Sequence, residues 1–258
     1  MGKIISIVNQ KGGVGKTTTA VNLGVYLAHL GKQVLLVDVD PQANATSGMG
    51  IDHHSLEHGI YEAIMGDKKI YEIIKHTIQS GFKVAPATAS LAGAGIELVG
   101  MEDREFVLSK ILAEIKDEYD YIIIDGPPSL GLLTINSLVA ADEVLIPIQS
   151  EYYALEGLSQ LLNTIGLVQS NLKPSLGIMG AVITMFDKHN KLSTSVMNEL
   201  YQYFPNRVFR SVVPRNVKLA EAPSFGRSIL HYDKKSRGGR AYEKLAREVI
   251  GLEQNFYN

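Results

Sequence analysis

Cysteine is absent from all 258 residues. That excludes disulfides, thiolate zinc sites, cysteine-ligated iron–sulfur clusters and cysteine nucleophiles together. A chain of this length buries about 70–75 % of its unfolded surface and needs no covalent staple, so a reducing cytosol suits it. Long apolar runs are missing too. The longest uncharged stretches, such as Gly126–Ala141, are broken by Pro127, Pro128, Thr134 and Asn136. They fall short of the ~20 apolar residues of a membrane-spanning helix. After a single lysine, Lys3, the strand-like run Ile4–Val8 is too short and too β-branched for the apolar region expected of a secretory leader. A cytoplasmic location is expected. Internal repeats, low-complexity tracts and linkers rich in Pro, Gly or Ser are also lacking, so residues 1–258 are expected to form one domain.

Charged residues make up 20 % of the chain and hydrophobic ones 45 %, which excludes wholesale disorder. The net charge of −2 conceals an asymmetry. Residues 1–180 carry 12 Lys and Arg against 20 Asp and Glu, whereas residues 181–250 carry 13 against 6. A basic segment of this kind is either a solvated face or a surface for a polyanion.

Short β-branched runs alternate with helical patterns. Strands are predicted at Ile4–Val8, Val34–Asp38, Phe82–Pro86, Tyr121–Asp125, Val144–Ile148, Ile178–Met185 and Val208–Val213. Several are apolar on both faces, as buried parallel strands are. A helix after residue 15 is expected to stop near Gly31, and others are predicted at 103–117, 131–140, 153–170, 193–203 and 239–250. The rhythm predicts an α/β fold of three layers, a mainly parallel sheet flanked by helices.

The first strand runs into Asn9-Gln10-Lys11-Gly12-Gly13-Val14-Gly15-Lys16-Thr17-Thr18-Thr19, and a helix follows. Strand, glycine-rich turn and helix together form an anion cradle, because glycines let backbone N–H groups turn inward and the helix dipole adds to their field. Lys11 through Thr18 are therefore the candidate phosphate-binding residues. Lys16 is placed to bridge terminal phosphates and the Thr17 hydroxyl to ligate Mg²⁺. The ordinary pattern G-x-x-x-x-G-K-S/T is not met, since Gln10 holds its first glycine position and a second lysine, Lys11, opens the loop.

Asp38 and Asp40 stand at and just beyond the end of the second strand, and Asp125 ends the apolar run Tyr121-Ile122-Ile123-Ile124. Carboxylates at the carboxyl edge of a parallel sheet lie where ligands bind. Asp125 and Asp38 fit a role on magnesium through its water shell, although Asp40-Pro41 alone would also suit an ordinary turn.

The doubled-lysine loop is the deviant Walker A signature, and the chain resembles the ParA/Soj chromosome-partitioning ATPases within the group that also holds MinD. The resemblance extends through Val37–Thr46, Tyr121–Gly131, Glu151–Gly157 and Val213–Ser224, over roughly residues 3–250. It implies an ATP hydrolase using ATP and Mg²⁺, with Asp40 acting on the attacking water. Lys11 would reach the partner's nucleotide in an ATP-sandwich homodimer. Pro214 and Asn216 would meet the adenine, where Pro-Arg-Asn could otherwise be a plain turn. The dimer would bind double-stranded DNA non-specifically over the nucleoid, and a ParB-type centromere-binding protein would trigger its release. No helix-turn-helix module is expected ahead of the loop, so 1–258 reads as a single deviant Walker A ATPase domain. Candidate DNA contacts are Arg215 and Lys218, then Lys188, Lys191, Arg207 and Arg210. Soj relatives tend to have arginine at positions matching Lys218 and near Lys188.

Three alternatives stay open. A MinD-like membrane ATPase would want a basic amphipathic terminal helix, and no base follows Arg247. A small-molecule ligase would want its own substrate pocket. A DNA-binding scaffold without turnover would leave Asp40 idle.

Overall fold

A computed structural model describes residues 2–151, 154–205 and 207–254. Tyr152 and Tyr153, including the first residue of the helix predicted over 153–170, and the 255–258 tail lie outside the described residues.

The strands are β1 (Lys3–Ile7), β2 (Val34–Asp38), β3 (Lys75–His76), β4 (Phe82–Ala85), β5 (Tyr121–Asp125), β6 (Glu143–Gln149) and β7 (Gly177–Thr184). They form one sheet in the order β3-β4-β2-β5-β1-β6-β7, in which only the β3–β4 pair is antiparallel. The helices are α1 (Lys16–His29), α2 (Asn44–Gly48), α3 (Ile60–Met65), α4 (Ile70–Ile73), α5 (Leu91–Glu97), α6 (Val107–Ala113), α7 (Leu132–Ala140), α8 (Ala154–Asn171), α9 (Lys191–Tyr203), α10 (Val217–Glu221), α11 (Ile229–Asp233) and α12 (Arg237–Gln254). Among the described residues no helix is long and apolar enough to cross a membrane.

The period-two alternation of the strands sorts the core into two faces. Ile4, Leu35, Val37, Ile122, Ile124 and Ile146 pack on one side, against α3 to α9. Ile5, Ile7, Leu36, Tyr121, Ile123 and Leu145 pack on the other, against α1 and α12. Both faces are covered, which is why these strands read as continuous apolar runs.

Two expectations are corrected. Val208–Val213 is not a regular strand: only single bridges join Val208 to Ala181 and Pro214 to Phe186. The N–H groups of Arg210 and Ser211 turn instead to the Glu248 carboxylate of α12, at 2.8 and 3.0 Å, so the segment cannot complete a ladder with β7. The helix predicted over 103–117 shrinks to α6 plus a 3-10 turn at Lys116–Glu118, with Asp103 in a left-handed conformation (φ 54°) ahead of it.

Candidate functional site

The glycine-rich loop leaves β1 and turns on two left-handed glycines, Gly13 (φ 74°) and Gly15 (φ 88°), a region other residues enter only with strain. Gly15 is the N-cap of α1, which has no side-chain cap and no acidic residue in its first turn. Its orphan amides and positive dipole end are therefore unopposed. Lys16 is buried, and its Nζ donates to the Lys11 carbonyl at 3.1 Å, closing the loop on itself. Thr17 and Thr18 follow in the first turn of α1, half-buried.

Neighbouring strands hold the loop from outside. Thr184 Oγ1, at the end of β7, donates to the Val14 carbonyl at 2.7 Å. Asn9 Nδ2 donates to the Pro147 carbonyl of β6 at 2.8 Å, while Asn9 Oδ1 accepts the Lys11 N–H at 3.0 Å. Neither Asn9 nor Thr184 was anticipated. Asn9 adjoins the loop and could have been suspected, but Thr184 is 170 residues from Val14 and only the sheet order joins them. The Lys11 side chain lies on its own chain, with Nζ 3.1 Å from Glu151 Oε2.

Strand register builds the acidic cluster. In the parallel β2–β5 pair Asp38 stands opposite Asp125, and both are wholly buried. Asp38 Oδ2 accepts the N–H and the hydroxyl of Thr46, at 2.9 and 2.7 Å, and Oδ1 accepts the Asp40 N–H at 3.2 Å. Neither oxygen of Asp125 has a hydrogen-bond partner among the described residues. Burial pushes the Asp38 carboxyl up to about 6, against the hydrogen bonds from Thr46. Burial, and after it the charge of Asp38, raise Asp125 well above the usual carboxylate range, while the Thr17 hydroxyl and Lys16 pull it back. Burial likewise lowers Lys16, opposed by Asp125 and Asp40. Asp40 is nearly buried, and its Oδ1 accepts the Gln42 N–H at 3.0 Å.

A buried carboxylate with neither oxygen satisfied, paired with a second one, beside a hydroxyl and an anion cradle, is the donor set that a hydrated hard dication completes. Thr17 would ligate Mg²⁺ directly, and Asp125 and Asp38 would hold its waters.

Just past β7, Pro214 is bridged to Phe186 and Arg215 donates its N–H to the Phe186 carbonyl at 3.1 Å. Asn216 is the N-cap of α10, its Oδ1 accepting the Lys218 N–H at 2.9 Å. Its Nδ2 makes no hydrogen bond among the described residues.

Residues of the 210–217 segment line a groove of about 1190 Å³. Of the candidate DNA contacts, Lys188, Arg210 and Arg215 line it, and Arg237, Arg240 and Lys244 of α12 face them. Lys191, Arg207 and Lys218 do not line it. Lys218 is paired with Glu221 at 2.9 Å and lies over the Tyr232 ring at 5.6 Å. The α12 residues recur at i, i+3 and i+7, the spacing of one helix face, a signal that the sequence itself carries.

A parallel sheet covered on both faces, with a glycine-rich loop running from its first strand into a helix and carboxylates on the adjoining strand ends, defines a P-loop nucleoside triphosphatase fold with a deviant Walker A loop. The family model described as an AAA domain matches residues 2–178. The sporulation initiation inhibitor protein Soj of Bacillus subtilis is 56 % identical over 96 % of this chain and 98 % of its own length. The chromosome partitioning protein ParA of Myxococcus xanthus is 53 % identical over 97 % of this chain and 88 % of its own length. Among solved structures, cobyrinic acid a,c-diamide synthase of Mycobacterium smegmatis with bound ADP and magnesium superposes with a TM-score of 0.87 at 34 % identity, covering 98 % of this chain and 96 % of that one. The chain belongs to the ParA/Soj family of chromosome-partitioning ATPases.

Proposed function

We propose that the protein is an ATP-dependent DNA-partitioning ATPase of one domain, in which Mg²⁺ and ATP close two copies into a sandwich dimer. The dimer binds double-stranded DNA without sequence preference on the cytoplasmic nucleoid, and hydrolysis stimulated by a ParB-type protein releases it. The observation that carries this reading is the unsatisfied Asp125 carboxylate opposite Asp38 behind the glycine-rich loop. Bound magnesium would neutralise charge on the terminal phosphates. The chain's own residues do the rest. The loop amides and Lys16 bind the phosphates, Asp40 orients water, Lys11 leaves Glu151 for the partner's nucleotide, and Asn216 Nδ2 donates to the base. The groove carries cations on two facing walls, as non-specific phosphate contact requires.

A phosphate-release assay with Mg²⁺ and ATP, with and without duplex DNA and a ParB-type protein, tests the reading. Slow hydrolysis that rises when both are added is expected; no magnesium-dependent hydrolysis under any condition would refute it. The synthase activity named for the mycobacterial neighbour is a second reading, which a product assay on that enzyme's substrate separates from this one.

A further inference from the structure

One buried hydroxyl beside the site has no role in the reading above. Thr46, the third residue of α2, is fully buried. Its hydroxyl donates to Asp38 Oδ2 at 2.7 Å and accepts the Ala87 N–H at 3.0 Å, while its own N–H donates to the same Oδ2 at 2.9 Å. With a lone pair committed to Ala87, the hydroxyl proton is directed at Asp38. The plane of the Asp38 carboxylate is thereby set by two bonds on one oxygen, and its other oxygen holds the Asp40 N–H at 3.2 Å.

The contact also crosses the sheet edge. Ala87 lies in the loop after β4, where the Pro86 carbonyl accepts the Ile60 N–H at 2.8 Å and so seats the start of α3. On the other side, Ala43 (φ 51°), the N-cap of α2, donates its N–H to the Asp40 carbonyl at 2.9 Å. The loops that leave β2 and β4 therefore meet at a single side chain, 41 residues from its Ala87 partner.

We propose that Thr46 is the positioning residue of the acidic cluster: its hydroxyl locks Asp38, and through Asp38 the backbone of Asp40, to the β4 loop, so that the carboxylates keep a fixed spacing for a magnesium nucleotide. This rests on the ATPase reading and is tested apart from it.

Thr46→Val keeps the shape and removes the hydroxyl, whereas Thr46→Ser keeps the hydroxyl and removes the methyl. Three readouts are taken: fluorescent ADP binding across a Mg²⁺ titration and in EDTA, kcat and KM for ATP, and Tm. Losing a partner of this type costs about 10–100-fold in metal affinity or activity. For Thr46→Val the half-saturating Mg²⁺ concentration is expected to rise and kcat to fall within that range. KM and binding in EDTA should change far less, and Thr46→Ser should stay close to the parent in all readouts. Should Thr46→Val fail to fold, Thr46→Ala, which lacks both hydroxyl and methyl, is compared with Thr46→Ser, which lacks the methyl alone. A hydroxyl-free variant with the parent's Mg²⁺ dependence and kcat would overturn the proposal. So would a Thr46→Ser protein that loses function in step with its Tm, because the methyl would then be the active part. A parent protein that hydrolyses no magnesium–ATP would refute the ATPase reading instead.

Discussion

Replacing Asp125 by asparagine is expected to stabilise the nucleotide-free protein while destroying its response to magnesium. Asp125 is wholly buried and stands opposite Asp38, and neither of its oxygens is in a hydrogen bond of good geometry among the described residues, with only the Thr17 hydroxyl reaching toward it. An unsatisfied buried polar group costs about 1–3 kcal/mol, and more when charged. Asparagine removes the charge but still seeks partners, so a gain of about 2 kcal/mol is a fair expectation, equivalent to about 4–8 °C in Tm for a chain of this size. The pull of the Thr17 hydroxyl and of Lys16 is already outweighed, since the carboxyl is raised despite both. The pH dependence follows from the same signs. A carboxyl whose folded pKa lies above its unfolded value binds more protons in the folded state, so stability falls as pH rises from the unfolded value through the folded one. For Asp38 that window runs from 3.8 to about 6, and for Asp125 it begins at the same low end and is raised in the same direction. The Tm advantage of Asp125→Asn should therefore be largest near pH 7.5 and shrink toward pH 4. Differential scanning fluorimetry at both pH values, with and without Mg²⁺ and ADP, reads all of this. Magnesium nucleotide should raise the parent's Tm and leave the variant's nearly unchanged. A variant that melts below the parent at pH 7.5 would mean that Asp125 is held by favourable contacts and is not a source of strain.

Other outcomes follow from the same geometry. A Cβ added at Gly12 meets nothing within 4 Å and that glycine is not left-handed, so Gly12→Val should keep the parent's Tm yet fail to dimerise with ATP on gel filtration; normal dimerisation would show that no partner approaches there. Mixing Lys11→Ala with Asp40→Ala should restore ATPase activity above either parent if Lys11 acts across the interface, and no recovery in the phosphate-release assay would confine it to its own chain. Arg240→Ala with Lys244→Ala should weaken DNA binding uniformly across sequences and reduce the log–log salt slope by about 2, measured by fluorescence anisotropy, and an unchanged slope would take DNA off the groove.

The loop could be read from the sequence because its chemistry is local: two lysines, three glycines and a threonine run fall within Lys11–Thr19. Asp125 was legible for a related reason, since a carboxylate closing Tyr121–Ile124 has no packing use at the end of a buried strand. What escaped depends on partners distant in sequence. Glu248 takes the N–H groups that would have made Val208–Val213 a strand, from 37 and 38 residues away. The α12 half of the groove resembles any solvated basic face until the 186–188 and 210–215 segments are set across from it. Lys218 is the opposite case. Glu221 three residues on was visible as a helical ion-pair partner, and its geometry now sets Lys218 against that acid and outside the groove.

Closure of two copies on a magnesium triphosphate can be weighed by light scattering coupled to gel filtration on the Asp40→Ala protein. With Mg²⁺ and ATP the mass should double, and with ADP or with EDTA it should remain that of one chain. A single-chain mass in saturating magnesium–ATP would show that the two copies do not close.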